Sequence, residues 1–447
     1  MLGLALEGGG AKGAFEIGAY RALTELGYRF DVVAGVSIGA INAALIAQGD
    51  CDRAAEFWET MSNDDLFSEE DRGFLEIINR QVNLNTLSAL KENIKTALES
   101  GGIDTSRIRA FLEENIDPER LLQSPVDYGM IAVAFPELQP LIAFKKDMTP
   151  ENVVDHVLAS ATFPGFRHTA IGSKRYLDGG LYDACPYNEL LDYGCDRVIA
   201  IRLNGFGIIH PPKDKARITQ IFPSEPLGPV MRFDPATSRR NIQMGYYDTM
   251  RAMQKLPGRL YYFTESADGF AAFSALPEEA IRAAAVLLRL PEELSPRRAL
   301  FEHILPDLAG ELKLPREADY DELLLALLEH RAEQLQVGRF RYYTPAELQA
   351  VLKESAVPAE APRRPLLLSR PEDAMELLTD ALPPLANGWF APAGPDLPHP
   401  FCAIRRFRAG NLAFSAGSTI IHRASNARLP RLFPGGPALP SHFAQRS

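Results

Sequence analysis

The chain has 447 residues, which is long for a single hydrophobic core, so two domains are expected. Its hydrophobic content of 46% and charged content of 23% are typical of a soluble globular protein. The formal net charge of -11 argues against nucleic acid as the main partner, because phosphate would be repelled overall. The four cysteines form no C-x-x-C pair, which favours a reducing compartment over a disulfide framework or a zinc site.

Two sequence features bear on the expected localisation. The first residues carry no basic segment, and Glu7 interrupts their apolar run, so a Sec signal peptide is not expected. No run of about 18 apolar residues occurs that could cross a bilayer. We therefore expect a cytoplasmic protein, an expectation that leaves room for peripheral membrane contact or non-Sec secretion.

The first fifty residues predict the start of an α/β sheet. Leu2 to Leu6 is a short apolar run of the kind that forms a buried strand, and a glycine-rich loop follows it. The pattern from Ala14 to Leu26 places its apolar residues on one helical face, and Gly27 is suited to end that helix. A second apolar run, a serine turn and a second helix come next.

The serine turn, Gly35-Val36-Ser37-Ile38-Gly39, matches the G-x-S-x-G nucleophile elbow in the context of a strand followed by a helix. Glycine on both sides removes Cβ atoms that would clash as the backbone reverses. Ser37 is therefore predicted at the tip of the strand beside a helix N-terminus, where backbone N–H groups favour developing negative charge.

The loop containing Gly8, Gly9, Gly10, Lys12 and Gly13 permits three interpretations. It matches a dinucleotide fingerprint, and an acid, Asp31, follows roughly 20 residues later, but before the second apolar run rather than at its end. It fails the Walker pattern, because the lysine precedes the last glycine. As an oxyanion loop, it would direct backbone N–H groups at one point, and Lys12 would add positive charge.

Further along, residues 52–123 are polar and helix-rich, which indicates an insertion over the active edge of the sheet, either a lid or plain covering helices. Helices are expected within it, including one at Leu87–Leu98. Lys174–Asp178 predicts a short strand that ends at Asp178-Gly179-Gly180. The helix and strand that follow, up to Leu203, suggest a parallel β-α-β unit.

In this order and spacing, the Gly8–Gly13 loop, the Ser37 elbow and Asp178-Gly179-Gly180 resemble the patatin-like phospholipases, a family of lipid acyl hydrolases. The resemblance covers residues 1–205 and extends towards 260. It implies a three-layer α/β/α sandwich with a mainly parallel central sheet. It also implies Ser37 as nucleophile, Asp178 as the base that accepts its proton directly, and oxyanion donors in the glycine loop, above all Gly9 and Gly10. The chain departs from the family at Tyr182–Pro186, which lacks the Asn often found before this proline.

The predicted substrate is a lipid or another acyl ester, and no metal or cofactor is expected. An alternative mechanism is a Ser-Asp-His triad, which needs a histidine after the acid. The candidate histidines are His210, His303 and His330, and less favourably His399, His422 and His442; His168 precedes Asp178. A second alternative is a non-catalytic lipid- or protein-binding member of the same fold.

The remaining sequence predicts three regions. The catalytic domain is expected to span residues 1–265, with Leu260–Phe263 as its last strand and with Ile221, Phe222 and Leu227 lining an acyl channel or packing on the core. Residues 277–357 predict a small helical domain of unknown role. Residues 358–447 are rich in proline and arginine, which predicts an irregular, poorly ordered tail or a segment that contacts anionic lipid headgroups.

Overall fold

The computed structural model describes residues 1–82, 102–355 and 371–385. The chain divides into two compact units, Met1–Leu256 and Pro257–Ser447. The predicted helix at Leu87–Leu98 lies outside the described residues.

The first unit alternates strands and helices. Its strands are β1 (Leu2–Leu6), β2 (Val32–Val36), β3 (Asp127–Phe135), β4 (Pro140–Phe144), β5 (Thr169–Ile171), β6 (Lys174–Asp178), β7 (Arg197–Ile201) and β8 (Ile218–Ile221). Its helices are α1 (Ala14–Glu25), α2 (Ile38–Ala47), α3 (Cys51–Thr60), α4 (Asn63–Leu66), α5 (Arg72–Val82), α6 (Ser106–Asn115), α7 (Pro118–Gln123), α8 (Val153–Ser160), α9 (Tyr187–Tyr193) and α10 (Pro235–Gln254).

These strands form one sheet in the order β5-β6-β3-β2-β1-β7-β8, and β4 pairs with β3. The pairs β1-β2, β1-β7, β2-β3 and β7-β8 are parallel, whereas β4 and β6 run antiparallel to β3, and β5 runs antiparallel to β6. The predicted α/β class with a mainly parallel central sheet among helices is confirmed. The central strands are continuous apolar runs because helices cover them on both faces.

The register of the central strands positions the site. Leu6 pairs with Gly35 on one side and with Ile201 on the other, so β1, β2 and β7 end at the same edge of the sheet. The loops that follow them meet at that edge, as is usual for ligand sites in parallel sheets. The predicted parallel β-α-β unit around α9 is wrong, because β6 runs antiparallel to β3 and is separated from β7 by three strands.

The second unit is helical. Its elements are β9 (Tyr262–Phe263), α11 (Gly269–Ser274), α12 (Glu278–Leu287), α13 (Pro296–Arg298), a π-helix (Ala299–Ile304), α14 (Leu305–Glu311), α15 (Tyr320–Gln334), β10 (Tyr342–Tyr343), α16 (Pro345–Ser355) and α17 (Pro371–Ala381). Its core includes Leu300, Leu305 and Leu323.

The predicted C-terminal end of the catalytic domain differs from the structure. Leu260–Phe263 does not extend the main sheet, since β9 pairs with β10 of the second unit. The buried carboxylate of Glu329 accepts the N–H groups of Arg259, Leu260 and Tyr261, which ties this segment to the helical unit from residue 257 onward.

The predicted irregular tail contains a helix, α17, whose residues Ala374, Met375 and Leu378 are buried in the core of the second unit. The arginine-rich stretch beyond residue 385 lies outside the described residues. Among the described helices, none has both the length and the apolar character needed to cross a membrane.

Candidate active site

Ser37 lies in a strained turn between β2 and α2, with φ of 56° and ψ of -126°. A Cβ atom at Gly35 would lie 2.0 Å from the carbonyl oxygen of Gly39. One at Gly39 would lie 2.6 Å from the carbonyl oxygen of Leu6. Both glycines are therefore required for the backbone to reverse this sharply, and the geometry is that of a nucleophile elbow.

Ser160 holds the elbow in place from the end of α8. Its hydroxyl accepts the N–H of Ser37 at 3.1 Å and donates to the carbonyl oxygen of Ile131 at 2.6 Å. Ser160 is fully buried, so this contact links the strained turn to β3 away from solvent. Sequence reasoning does not identify Ser160, because no local pattern shows which backbone group its hydroxyl contacts.

Asp178 is the last residue of β6 and is buried. Its Oδ1 accepts the N–H of Gly180 at 2.8 Å, whereas its Oδ2 has no hydrogen-bond partner of standard geometry among the described residues. Burial raises the pKa of Asp178 to about 6, and hydrogen bonding by Ser37 and Gly180 offsets part of this rise. A Cβ atom at Gly179 would lie 2.2 Å from the carbonyl oxygen of Ile131, so this glycine allows β6 and β3 to approach closely.

Ser37 and Asp178 line the same cleft, together with three glycines of the loop after β1. The complete lining is Gly8, Gly9, Gly10, Ser37, Phe163, Pro164, Asp178, Gly180, Leu181, Phe206, Val230 and Met231. The structure thus brings the three predicted motifs together, although Asp178 is 141 positions from Ser37 in the chain.

The glycine loop presents two N–H groups without an acceptor. The N–H of Gly8 donates to Ala184 at 2.8 Å, and that of Ala11 donates to Val230 at 2.7 Å. Within the described part of the chain, the N–H groups of Gly9 and Gly10 have no such partner. Gly10 has φ of +57°, a conformation that favours glycine. Gly9 and Gly10 are thus the residues of this loop whose N–H groups remain available to a group bound in the cleft.

Lys12 and Gly13 differ from the prediction, because neither lines the cleft. The Lys12 ammonium donates to the carbonyl oxygen of Asn204 at 2.7 Å, and burial lowers its pKa. A Cβ atom at Gly13 would lie 2.8 Å from Ile38 and 2.9 Å from Trp58, so this glycine serves packing. In the structure both residues contact the segments around the loop.

Glu7 braces the start of the same loop. Its buried carboxylate accepts Arg202 Nε at 2.6 Å, the N–H of Leu203 at 2.9 Å and the N–H of Gly205 at 2.9 Å. These bonds join the end of β1 to the loop after β7. Asp31, the acid of the dinucleotide interpretation, instead accepts the N–H of Leu2 at 2.6 Å, at the opposite edge of the sheet.

None of the described histidines lines the cleft. The His210 ring is paired through Nδ1 with Asp183 at 2.9 Å, and the His168 ring packs on Phe135. His303 and His330 belong to the second unit, and His399, His422 and His442 lie outside the described residues. Nor do the described residues contain a group of three or more His, Cys, Asp or Glu placed to hold a metal.

An apolar cavity adjoins the cleft and shares Gly10, Ser37, Phe163 and Met231 with it. Its other lining residues are Ile38, Ile41, Phe57, Met61, Leu66, Phe67, Ile108, Phe111, Ala161, Phe166 and Phe233. Six of these lie in the insertion between residues 52 and 123, which therefore forms one wall of the site. Ile221, Phe222 and Leu227, the predicted channel residues, line neither cavity.

Comparison with known proteins identifies a family for the region that contains this cleft. The model of the patatin-like phospholipase family matches residues 4–191. Residues 4–191 belong to the patatin-like phospholipase family. The patatin-like match contains the elbow, the glycine loop and Asp178, and ends within α9.

Two curated proteins and one solved structure illustrate the range of similarity to this chain. An uncharacterized NTE family protein of Mycobacterium tuberculosis is 26% identical over 204 residues, which cover 45% of this chain and 49% of that protein. The lysophospholipase nte1 of Aspergillus terreus is 49% identical over 47 residues, 10% of this chain and 3% of that protein. The solved structure of VipD from Legionella pneumophila covers 84% of this chain and 82% of its own, with 14% identity and a TM-score of 0.36. The chain spans about half the length of the first curated relatives that it matches.

Proposed function

We propose that the first unit is a serine acyl hydrolase of the phospholipase A or lipid esterase type, acting through a Ser37–Asp178 dyad. The observation that carries this proposal is the cleft in which a strained serine faces a buried aspartate, whose Oδ2 has no hydrogen bond of standard geometry to the described residues. A serine hydroxyl is a weak nucleophile unless a base lies within reach, and Asp178 is the base that the cleft offers.

In the proposed reaction, Ser37 Oγ attacks the ester carbonyl carbon while Asp178 Oδ2 takes the hydroxyl proton. The negative charge that develops on the carbonyl oxygen is stabilised by the N–H groups of Gly9 and Gly10. Asp178 then returns the proton to the departing alcohol, which leaves the acyl group on Ser37. Water, deprotonated by Asp178, cleaves this acyl-enzyme and restores the serine.

The raised pKa of Asp178 suits this role. At its ordinary value of 3.8 the carboxylate would be a poor base, whereas at about 6 it is still ionised at neutral pH and binds a proton more strongly. The cause of the raised pKa is burial, and among the described residues no other group competes with Ser37 for Oδ2 by a hydrogen bond of standard geometry.

The apolar cavity supports an acyl chain as the part of the substrate next to the ester. Its aromatic and aliphatic lining begins at Ser37, where an acyl group would be attached. The name of the Aspergillus terreus relative, a lysophospholipase, is consistent with a lipid ester. Such a substrate would bring the protein into peripheral contact with a membrane or micelle surface.

Hydrolysis assays test the proposal against a non-catalytic, lipid-binding role. Purified protein is assayed with p-nitrophenyl butyrate and with phosphatidylcholine vesicles, alongside Ser37→Ala and Asp178→Asn. We expect both replacements to lower the rate by at least about 100-fold, the usual contribution of a nucleophile or a general base. Ser238→Ala, which removes a serine hydroxyl that is buried outside the cleft, is the control and should retain activity. Binding of vesicles without Ser37-dependent hydrolysis would favour the non-catalytic role.

A further inference from the structure

The segment Val230–Phe233, here called the strap, runs between the cleft and the apolar cavity. Val230 and Met231 line the cleft, whereas Met231 and Phe233 line the apolar cavity. The strap is irregular, and these three residues are buried. Met231 is therefore common to both cavities, as is Phe163 of the segment before β5.

The glycine loop fixes one side of the strap. The carbonyl oxygen of Val230 accepts the N–H of Ala11 at 2.7 Å. A Cβ atom at Gly10 would lie 2.2 Å from the same oxygen, so the loop and the strap fit together only with glycine at this position. The strap is thereby held against Gly10, whose N–H has no acceptor among the described residues.

Two asparagines from the insertion hold the strap from the other side. Asn79 Oδ1, in α5, accepts the N–H of Met231 at 2.7 Å. Asn63, in α4, donates through Nδ2 to the carbonyl oxygen of Met231 at 3.1 Å and accepts the N–H of Phe233 at 2.6 Å. Both backbone polar groups of Met231 are thus satisfied by side chains, as buried backbone groups in an irregular segment require.

Met231 lies where an acyl chain must pass. Four residues are common to the cleft and the apolar cavity, and apart from the nucleophile and a glycine these are Phe163 and Met231. An acyl group bonded to Ser37 Oγ therefore enters the apolar cavity beside these two side chains. A methionine side chain is unbranched and adaptable, which suits a residue that must admit a chain while still contacting it.

From these contacts we propose that Met231 determines which acyl chains the enzyme accepts, and that Asn63 and Asn79 are positioning residues that hold it at the passage. This inference rests on the proposed acyl hydrolase function and assigns its specificity to one side chain. It also gives the insertion a role, since α4 and α5 set the position of a residue at the reacting centre.

The test compares kcat/KM for p-nitrophenyl dodecanoate with kcat/KM for p-nitrophenyl acetate. Met231→Ala should raise this ratio and Met231→Phe should lower it, each on the order of tenfold, because small volume changes in an apolar pocket discriminate on this scale. An effect of the replacement on the cleft itself acts on both esters and cancels in this ratio, because Met231 also lines the cleft. Met250→Ala is the matched control, because Met250 is equally buried but lines neither cavity.

The asparagine variants distinguish positioning from general stability. Asn79→Leu removes the acceptor of the Met231 N–H and should shift the ratio in the same direction as Met231→Ala. Asn79→Asp retains an acceptor oxygen and should restore the wild-type ratio. Equal ratios in wild type, Met231→Ala, Met231→Phe and Asn79→Leu, with normal acetate hydrolysis, would overturn the inference and leave the proposed function intact.

A binding measurement decides the inference independently of hydrolysis. Calorimetric titration of the Ser37→Ala protein with butyrate and with dodecanoate gives the ratio of the two Kd values. Adding Met231→Phe to this protein should weaken dodecanoate binding about tenfold and leave butyrate unaffected. If no ester is hydrolysed but this shift is observed, the proposed function fails and the role of Met231 stands. Unchanged binding of both fatty acids would count against Met231.

Discussion

Replacing Asp178 by Asn should make the protein more stable while it removes the proposed base. The carboxyl group has a pKa of about 6 in the folded protein against an ordinary value of 3.8. The two pKa values differ by about 2.2, which lowers the free energy of unfolding of the ionised protein by about 3 kcal/mol, since a pKa difference of one corresponds to about 1.36 kcal/mol. An asparagine carries no charge to bury, and its Oδ1 can still accept the N–H of Gly180.

The sign of the effect follows from proton binding. Because the folded state binds the Asp178 proton more tightly, the wild type loses stability as pH rises from about 3.8 to about 6, and the cost is constant above that range. The Asp178→Asn protein does not lose this stability, because asparagine does not ionise. Its free energy of unfolding should therefore equal that of the wild type near pH 3.5 and exceed it by up to about 3 kcal/mol at pH 8.

Urea unfolding of both proteins at a series of pH values measures this difference, and the titration of all other groups cancels between them. Asp52→Asn provides the same chemical change at an exposed carboxylate and should have little effect on stability. An Asp178→Asn protein no more stable than the wild type at pH 8, or a gain that is the same at all pH values, would refute the assignment of a raised pKa to burial.

Three further predictions concern activity. The value of kcat/KM should rise with pH as Asp178 ionises, with an apparent pKa of about 6, so that the rate at pH 5 is about one tenth of the plateau; a flat profile between pH 4.5 and 7 would contradict this. Gly10→Ala should abolish hydrolysis, because its Cβ atom would meet a backbone oxygen at 2.2 Å, whereas Gly310→Ala, which meets no atom within 4 Å, should leave the rate unchanged. Ser160→Ala should lower kcat about tenfold with little change in KM, because the buried N–H of Ser37 loses its acceptor; steady-state kinetics that show an effect on KM alone would argue against positioning of the elbow.

The sequence predicted the parts of the site that depend on local backbone geometry. The tight turn around Ser37 requires glycine at positions 35 and 39, and this requirement is visible in the sequence as the short motif G-x-S-x-G. The central strands could also be predicted from the sequence, since strands buried on both faces are continuous apolar runs. The class of the fold and the meeting of the glycine loop with the serine turn follow from these features.

The features that sequence reasoning missed depend on contacts between distant segments. Asn79 meets Met231 across 152 positions, and Ser160 meets Ser37 across 123. Single Asn or Ser residues of this kind are common, and nothing local distinguishes a positioning residue from a solvated one. The contact of Lys12 is of the same kind, because its ammonium donates to the carbonyl group of Asn204, 192 positions away.

The strand at Leu260–Phe263 was misassigned for a related reason. Its apolar pattern predicts a buried strand but does not specify which sheet it joins. Three backbone N–H groups of this segment are accepted by Glu329, which lies in the middle of α15. The partner strand, Tyr342–Tyr343, is about 80 residues away and only two residues long.

The central claim is that Asp178 activates Ser37 for covalent catalysis, and labelling with a fluorophosphonate tests it most directly. Peptide mass spectrometry should find one adduct, on Ser37, in the wild-type protein and none in Ser37→Ala. In Asp178→Asn the labelling rate should fall by at least about 100-fold, because the hydroxyl loses its base. An adduct on another residue, or labelling of Asp178→Asn at the wild-type rate, would contradict the account.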